Sequence, residues 1–174
     1  MELVRLLFET INMRSFANLW YWIGLAALWS SVSYRLLGVP YDMLRRARRH
    51  GGQLQTDVEA IAAIQARRLL TTSRTAAVPM FFTLGLVVSM MATLAFVYRI
   101  EFAQALFFMF APMIAVGWLT LRTALRVEQG EGEGPALFRR LMIHRRLVQL
   151  MGFCAIFTAA MFGMWRNLNI SVLH

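Results

Sequence analysis

The sequence AAVPMFFTLGLVVSMMATLAFVY fills residues 76–98 and carries no charged side chain along its 23 residues. Three residues, Arg99, Ile100 and Glu101, separate it from FAQALFFMFAPMIAVGWLTL at residues 102–121, which is also uncharged over 20 residues. An α-helix needs about 20 apolar residues to cross the hydrocarbon core of a bilayer. The short link therefore predicts two antiparallel membrane-spanning helices that form a tight hairpin.

Two further uncharged stretches of 19 residues each lie at residues 16–34 and 147–165. The hydrophobic fraction of the chain is 59% and its charged fraction is 16%. Water-soluble domains are about 45–50% apolar, and a chain of 174 residues is too small to bury four such helices in water. The sequence predicts an all-α polytopic membrane protein, a single membrane domain over residues 1–174 with four transmembrane helices.

The two long links, residues 35–75 and 122–146, hold 14 of the 18 basic residues, all of which are arginine. Loops rich in lysine and arginine stay on the cytoplasmic side of a bacterial membrane. We therefore expect both links to be cytoplasmic and both termini to be periplasmic in the inner membrane. The chain shows no pattern of a cleaved signal peptide, so we expect the first spanning helix to direct insertion.

The segments outside the spans have their own helical patterns. Residues 2–12 predict a short amphipathic helix that lies on the membrane surface or contacts a partner. In the first link, Pro40 should end one helix, residues 42–49 should form a second, and Thr56 with Glu59 matches a capping box for a third. In the second link, the acidic, glycine-rich residues 128–135 predict a mobile turn without helix, followed by a basic helix at residues 136–146.

The pattern of ionisable residues argues against chemistry within the membrane. No Asp, Glu, Arg or His falls inside the four predicted spans, although such residues usually mark pumps and proton relays. The single cysteine, Cys154, lies in the middle of a span and is expected to be an inert thiol. We expect no enzymatic activity, no metal and no cofactor, and we do not expect nucleic acid as a partner.

The candidate functional residues are of three kinds. Eight loop arginines are expected to contact anionic lipid on the cytoplasmic side or a partner protein: Arg45, Arg46, Arg48, Arg49, Arg139, Arg140, Arg145 and Arg146. Small residues recur at every fourth position, which lets membrane helices approach closely: Gly85, Ser89 and Thr93, then Ala155, Ala159 and Gly163. Packing within the four-helix bundle is favoured over dimerisation for these stripes, and Pro112 predicts a helix kink.

Four local strings together resemble one protein family. They are MRSFANLWYW at residues 13–22, GVPYDM at residues 38–43, EFAQA at residues 101–105 and NLN at residues 167–169. With them, the chain resembles small inner-membrane proteins of alphaproteobacteria of the Rhodobacter and Roseobacter group. That group is called a component of the SufBCD complex, which implies a link to iron–sulfur cluster assembly and brings no catalytic residues.

These patterns predict a non-catalytic accessory or scaffold subunit beside a larger inner-membrane complex, respiratory or photosynthetic by analogy. A small transporter or channel acting as an oligomer is one alternative, and it would need a polar-lined path. A membrane anchor for cytosolic iron–sulfur assembly machinery is the other. The co-purifying partners would discriminate the three.

Overall fold

The computed structural model describes residues 19–171, so the predicted helix at residues 2–12 and the terminal His174 lie outside the described residues. In this part of the chain α-helices follow one another with short links: α1 (Leu19–Tyr34), α2 (Tyr41–His50), α3 (Gln53–Thr75), α4 (Ala77–Ala92), α5 (Glu101–Arg126) and α6 (Gly134–Ser171). Two π-helical turns extend α4 and α5: π1 (Thr93–Val97) and π2 (Val127–Glu131). The strands β1 (Arg35–Leu36) and β2 (Val39–Pro40) form a two-residue antiparallel ladder between α1 and α2.

Within residues 19–171, three helical stretches are long and apolar enough to cross a membrane: Ala77–Val97, Glu101–Glu131 and Gly134–Arg166. They cover the predicted spans at residues 76–98, 102–121 and 147–165. The described part of the predicted first span is α1, whose 16 residues measure about 24 Å along the axis. Residues 19–171 are thus helical apart from the short ladder β1–β2 and the links, in agreement with the predicted all-α class, and a membrane location fits three of the helices.

An apolar core joins α1, α5 and α6 over the uncharged part of the molecule. Leu25 and Trp29 of α1 are buried against Val116 of α5 and against Val148 and Ala155 of α6. The approach of α1 to α6 depends on a glycine, because a Cβ atom built on Gly152 would lie 2.7 Å from Cε3 of Trp29. The helix α1 therefore packs directly on the backbone of α6.

A second core lies at the arginine-rich end of the molecule, which we call the basic end: α2, α3, π2, the last turns of α5 and the first turns of α6. Leu44 of α2, Val58 and Leu70 of α3, Ala124 of α5 and Leu137 of α6 are among its fully buried members. The helix α3 is sandwiched because it contacts both α2 and α5. The two long links are therefore a packed helical layer on the ends of α5 and α6.

A tight turn carries the chain from α1 into α2. Leu37 and Gly38 have φ angles of 49° and 77°, as a two-residue type I′ turn between antiparallel strands requires. Val39 is fully buried, and Pro40 stands in an extended conformation at the N-cap of α2. The prediction that Pro40 ends a helix is wrong, because α1 already ends at Tyr34 and Pro40 instead directly precedes the first residue of α2.

The predicted capping box at Thr56 and Glu59 is wrong. The helix α3 begins one turn earlier, after Gly52, and Thr56 Oγ1 donates to the Gly52 carbonyl oxygen at 3.4 Å. Glu59 instead accepts hydrogen bonds from Gln55 Nε2 and from the backbone N–H of Gly134, each at 2.8 Å. Its carboxylate therefore caps the N-terminus of α6, where the helix dipole favours an anion.

The prediction that residues 128–135 hold no helix is also wrong, except at residues 132 and 133, because π2 reaches Glu131 and α6 begins at Gly134. Helical geometry continues from α5 through π2 to Glu131, and it is interrupted at Gly130, whose φ is 117°. Glu128 accepts a bidentate pair from Arg74 at 2.8 and 3.3 Å, and Glu131 accepts a bidentate pair from Arg140. These arginines hold the acidic tract against α3 and α6.

At the opposite end, a polar cluster ties α4, α5 and α6 together. Gln104 is buried and donates from Nε2 to the Ala95 carbonyl oxygen of π1 at 2.7 Å. Arg166 of α6 donates to Gln104 Oε1, and its Nε lies 3.5 Å from the Glu101 carboxylate. A π-turn leaves carbonyl groups that need partners in an apolar setting, and Gln104 satisfies one of them.

Candidate functional site: an arginine-rich cleft at the basic end

The structure places the eight predicted contact arginines on two helices, four on α2 and four on the first turns of α6. Arg45, Arg46 and Arg49 are exposed on α2, in the last turns of which basic side chains suit the helix dipole. Arg48 lines a cleft together with Arg139 and Arg146 of α6, whereas Arg140 lines a different cavity, between α5 and α6. The arginines of α6 therefore point to different sides of that helix.

A cleft of about 470 Å³ separates α2 from the first turns of α6. Arg48 of α2 and Arg139 and Arg146 of α6 line it, above an apolar floor that includes Phe138 and Met142. Three guanidinium groups with an apolar floor can hold an anionic group that carries an apolar part, because each guanidinium offers five donors in a planar fork. The structure thus brings together three of the eight predicted arginines in one concave site.

Two of the predicted arginines have partners inside the protein. Arg140 is bound by Glu131, and these hydrogen bonds hold the pKa of the Glu131 carboxyl below its usual range. The guanidinium of Arg145 lies 3.3 Å from the centre of the Tyr41 ring, in a cation–π contact that fixes α6 against the start of α2. Both side chains therefore stabilise the packing of the basic end in addition to contributing positive charge.

A buried histidine lies behind the basic surface. His144 is 3% exposed, and its Nδ1 is 2.9 Å from Thr123 Oγ1 of α5. The same hydroxyl donates to the Leu119 carbonyl oxygen at 2.9 Å, so in that arrangement Nδ1 carries the hydrogen and donates to Thr123. Burial lowers the pKa of the His144 imidazole to about 4, and the ring is therefore neutral at pH 7.

No protein-family model, curated protein or solved structure matches this chain.

The two stripes of small residues lie in different settings. Ala155, Ala159 and Gly163 are buried in α6, where Ala155 and Ala159 belong to the core shared with α1 and α5. Gly85, Ser89 and the π1 residue Thr93 are exposed. No atom lies within 4 Å of a Cβ built on Gly85. One stripe thus lies at an internal helix contact, and the other faces outward.

The other predicted residues are placed as follows. Pro112 lies inside α5, which continues on both sides of it. Cys154 is exposed on α6 and not enclosed by protein. Among residues 19–171, no group of three or more His, Cys, Asp or Glu side chains is arranged to hold a metal ion.

Protonation of His144 should make stability depend on pH. The pKa near 4 in the folded protein is below the ordinary value of about 6.5, so the unfolded chain takes up the proton more readily. Stability should be constant above about pH 6.5 and fall by up to about 3 kcal/mol as the pH drops towards 4. We expect the midpoint of thermal unfolding in detergent to decrease between pH 7.5 and pH 5, a range that lies above the titration of Glu131.

The variant His144→Gln should flatten that decrease, and His50→Gln provides the matched control because His50 is exposed on α2. An unchanged pH slope in His144→Gln would show that another group is responsible. A flattened pH slope in His50→Gln would show that His50, and not His144, causes the decrease in stability.

Several residues at the basic end are not predicted from the sequence as site residues. His144 and Thr123 are 21 residues apart and meet only because α5 and α6 pack side by side. Arg122 and Arg126 are not among the eight predicted contact arginines, although their spacing of four residues puts them on one helix face. That spacing, together with Arg140 and His144 in the next helix, was the available signal.

Proposed function

We propose that this chain is a non-catalytic accessory or scaffold subunit of a larger bacterial inner-membrane complex, in which it crosses the membrane four times. The observation that carries the proposal is the exposure of α4. Not one residue of Ala77–Ala92 is buried, and large apolar side chains such as Phe82, Leu86 and Met90 are 60–72% exposed. This helix contacts the rest of the chain along one side and leaves a broad apolar face for lipid or another protein.

The outward stripe of Gly85, Ser89 and Thr93 favours another protein on part of that face. Small residues at every fourth position allow a second helix to approach the backbone closely, which drives helix association in lipid. A stripe that faced acyl chains alone would gain nothing from small side chains. Since the stripe has no partner helix within residues 19–171, we assign it to a contact with a neighbouring subunit.

The proposed arrangement in the membrane rests on the charges. The basic end contains 13 of the 18 arginines, and Arg35 in β1 lies next to it, so we place it in the cytoplasm and the opposite end, with the 99–101 link, in the periplasm. We place α1 in the bilayer as the fourth span because it packs beside the apolar parts of α5 and α6. The cleft lined by Arg48, Arg139 and Arg146 would then face anionic lipid or an acidic surface of the partner complex.

The test is purification of the tagged full-length chain from its native membranes in a mild detergent. A large membrane complex should co-purify with the natural sequence. The amount of that complex recovered with Gly85→Leu should be at least about ten times smaller, because the added side chain separates the helices. Gly117→Leu is the matched control, since Gly117 is an exposed glycine of α5 with no atom within 4 Å of an added Cβ. Retention of the complex by Gly117→Leu and its loss by Gly85→Leu would support the proposal.

The alternatives give different partners in the same experiment. A homo-oligomer without other subunits would favour the small transporter or channel. Soluble iron–sulfur assembly proteins would favour the membrane anchor. Equal recovery of the complex with Gly85→Leu and with the natural sequence would show that the small-residue stripe of α4 is not the contact surface.

A further inference from the structure

A small cavity with three arginines lies between α5 and α6 at the basic end. Its volume is about 210 Å³, and Arg122, Arg126 and Arg140 line one part of it while Leu119, Ile143 and Leu147 line the other. None of the residues around it is acidic. It differs from the larger cleft beside α2 in its guanidinium groups, which belong to other residues, although Ile143 lines both sites.

Within residues 19–171, acidic side chains do not balance the charge around this cavity. Arg140 is compensated by its pair with Glu131. Arg122 lies 3.7 Å above the Trp118 ring, a contact that orients the guanidinium without neutralising it. Arg126 is exposed on the same face, one helical turn away. Even with the Glu131 charge included, the described residues leave two positive charges of the site uncompensated.

The position of the cavity defines what kind of anion would reach it. Leu119 and Leu147 lie at the ends of the predicted spans, at residues 102–121 and 147–165, and the arginines follow immediately outside them. An anion held here would have its charge at the level of the lipid headgroups and an apolar surface directly beneath it. Basic pockets between membrane helices on the cytoplasmic side have the chemistry that anionic headgroups need.

We propose that this cavity is a binding site for the phosphate group of an anionic phospholipid of the inner leaflet. Arg122 and Arg126 bind the phosphate oxygens, and the acyl chains lie along Leu119 and Leu147. Guanidinium groups suit this ligand because they donate in pairs to phosphate oxygens and remain charged at every physiological pH. The proposal rests on the membrane arrangement given above but requires no partner protein.

The site can be tested on the purified full-length protein alone. In a zwitterionic phosphatidylcholine nanodisc, phosphatidylglycerol is titrated in and its binding is measured by native mass spectrometry as the number of retained lipid molecules. We expect tight retention of phosphatidylglycerol by the natural sequence and about tenfold or greater weakening in the double variant Arg122→Gln with Arg126→Gln. The matched control is Arg67→Gln with Arg68→Gln, which removes the same charge from exposed positions of α3 and should bind normally.

Two results would overturn the proposal. Equal weakening in both double variants would show that lipid follows overall charge and not this cavity. Displacement of the bound lipid by inorganic phosphate at similar concentration would show that a soluble anion, and not a headgroup, is the ligand. Because the measurement uses no other subunit, a failure to co-purify any larger complex would overturn the proposed function and leave this result unaffected.

Discussion

Replacing Gly152 by alanine is expected to lower the stability of the protein strongly, because the added methyl group would overlap the Trp29 ring. The new Cβ would lie 2.7 Å from Cε3 and 3.0 Å from Cδ2 of Trp29, whose ring is buried and rigid. Overpacking of this kind typically costs 1–3 kcal/mol, and here α1 must move away from α6 to relieve it. We expect a loss of about 2–3 kcal/mol and a clear decrease in the midpoint of heat inactivation in detergent.

The matched control is Gly85→Ala. Nothing lies within 4 Å of the added methyl group there, and alanine favours a helix by about 1 kcal/mol over glycine, so this variant should be as stable as the natural sequence or slightly more so. The cost of Gly152→Ala should shrink when Trp29→Leu is present, because the two changes act on one contact. A Gly152→Ala variant with unchanged stability would mean that α1 does not pack on α6 as described.

The second large effect is expected at Gly38, in the turn that leads from α1 to the basic end. Its φ of 77° belongs to the left-handed region, and a Cβ would lie 2.6 Å from Cγ of Gln65 on α3. Gly38→Val combines a β-branched residue at positive φ with this contact, and we expect a loss of about 3 kcal/mol. Detachment of α2 from α3 should appear as faster amide hydrogen exchange in α2.

Gln65→Ala isolates the steric part of this loss, because it removes the side chain that the new Cβ would contact. In that background Gly38→Val should lose only about 1–2 kcal/mol, which is the cost of the positive φ. Gly51→Val is the matched control, because its Cβ position has open space around it, so Gln65→Ala should leave its loss unchanged. An equal loss for Gly38→Val with and without the Gln65 side chain would contradict the contact between the turn and α3.

The sequence was sufficient where a local pattern determines the structure. The uncharged residues 76–98 and 102–121 correspond closely to the helical stretches Ala77–Val97 and Glu101–Arg126, because apolar length alone decides whether a helix can cross lipid. The start of α2 directly after Pro40 likewise fits the fixed φ of a single residue, which suits the beginning of a helix. These predictions needed no knowledge of what lies nearby in space.

Predictions that depended on distant contacts could not be made in the same way. Glu59 matched a local capping box, yet it caps the helix that starts at Gly134, 75 residues further along the chain. The acidic tract looked free of helix because the arginines that hold Glu128 and Glu131 come from other helices. Likewise, no local pattern connects Trp29 with Gly152. Side-chain partners across helices decide such features, and spacing along one segment does not show them.

The most direct test of the four-span arrangement is the side of the membrane on which the N-terminal segment lies. If the basic end is cytoplasmic, three crossings by the long apolar helices put the C-terminal end in the periplasm. The side of residue 12, by contrast, depends on whether α1 also crosses the membrane. In a Cys154→Ser background, single cysteines at Asn12, Arg49 and Ile100 should be tested in intact spheroplasts with a membrane-impermeant maleimide. Labelling at positions 12 and 100, with position 49 protected until the membrane is permeabilised, is the predicted result. Protection of position 12 together with labelling of position 100 would contradict the crossing of α1.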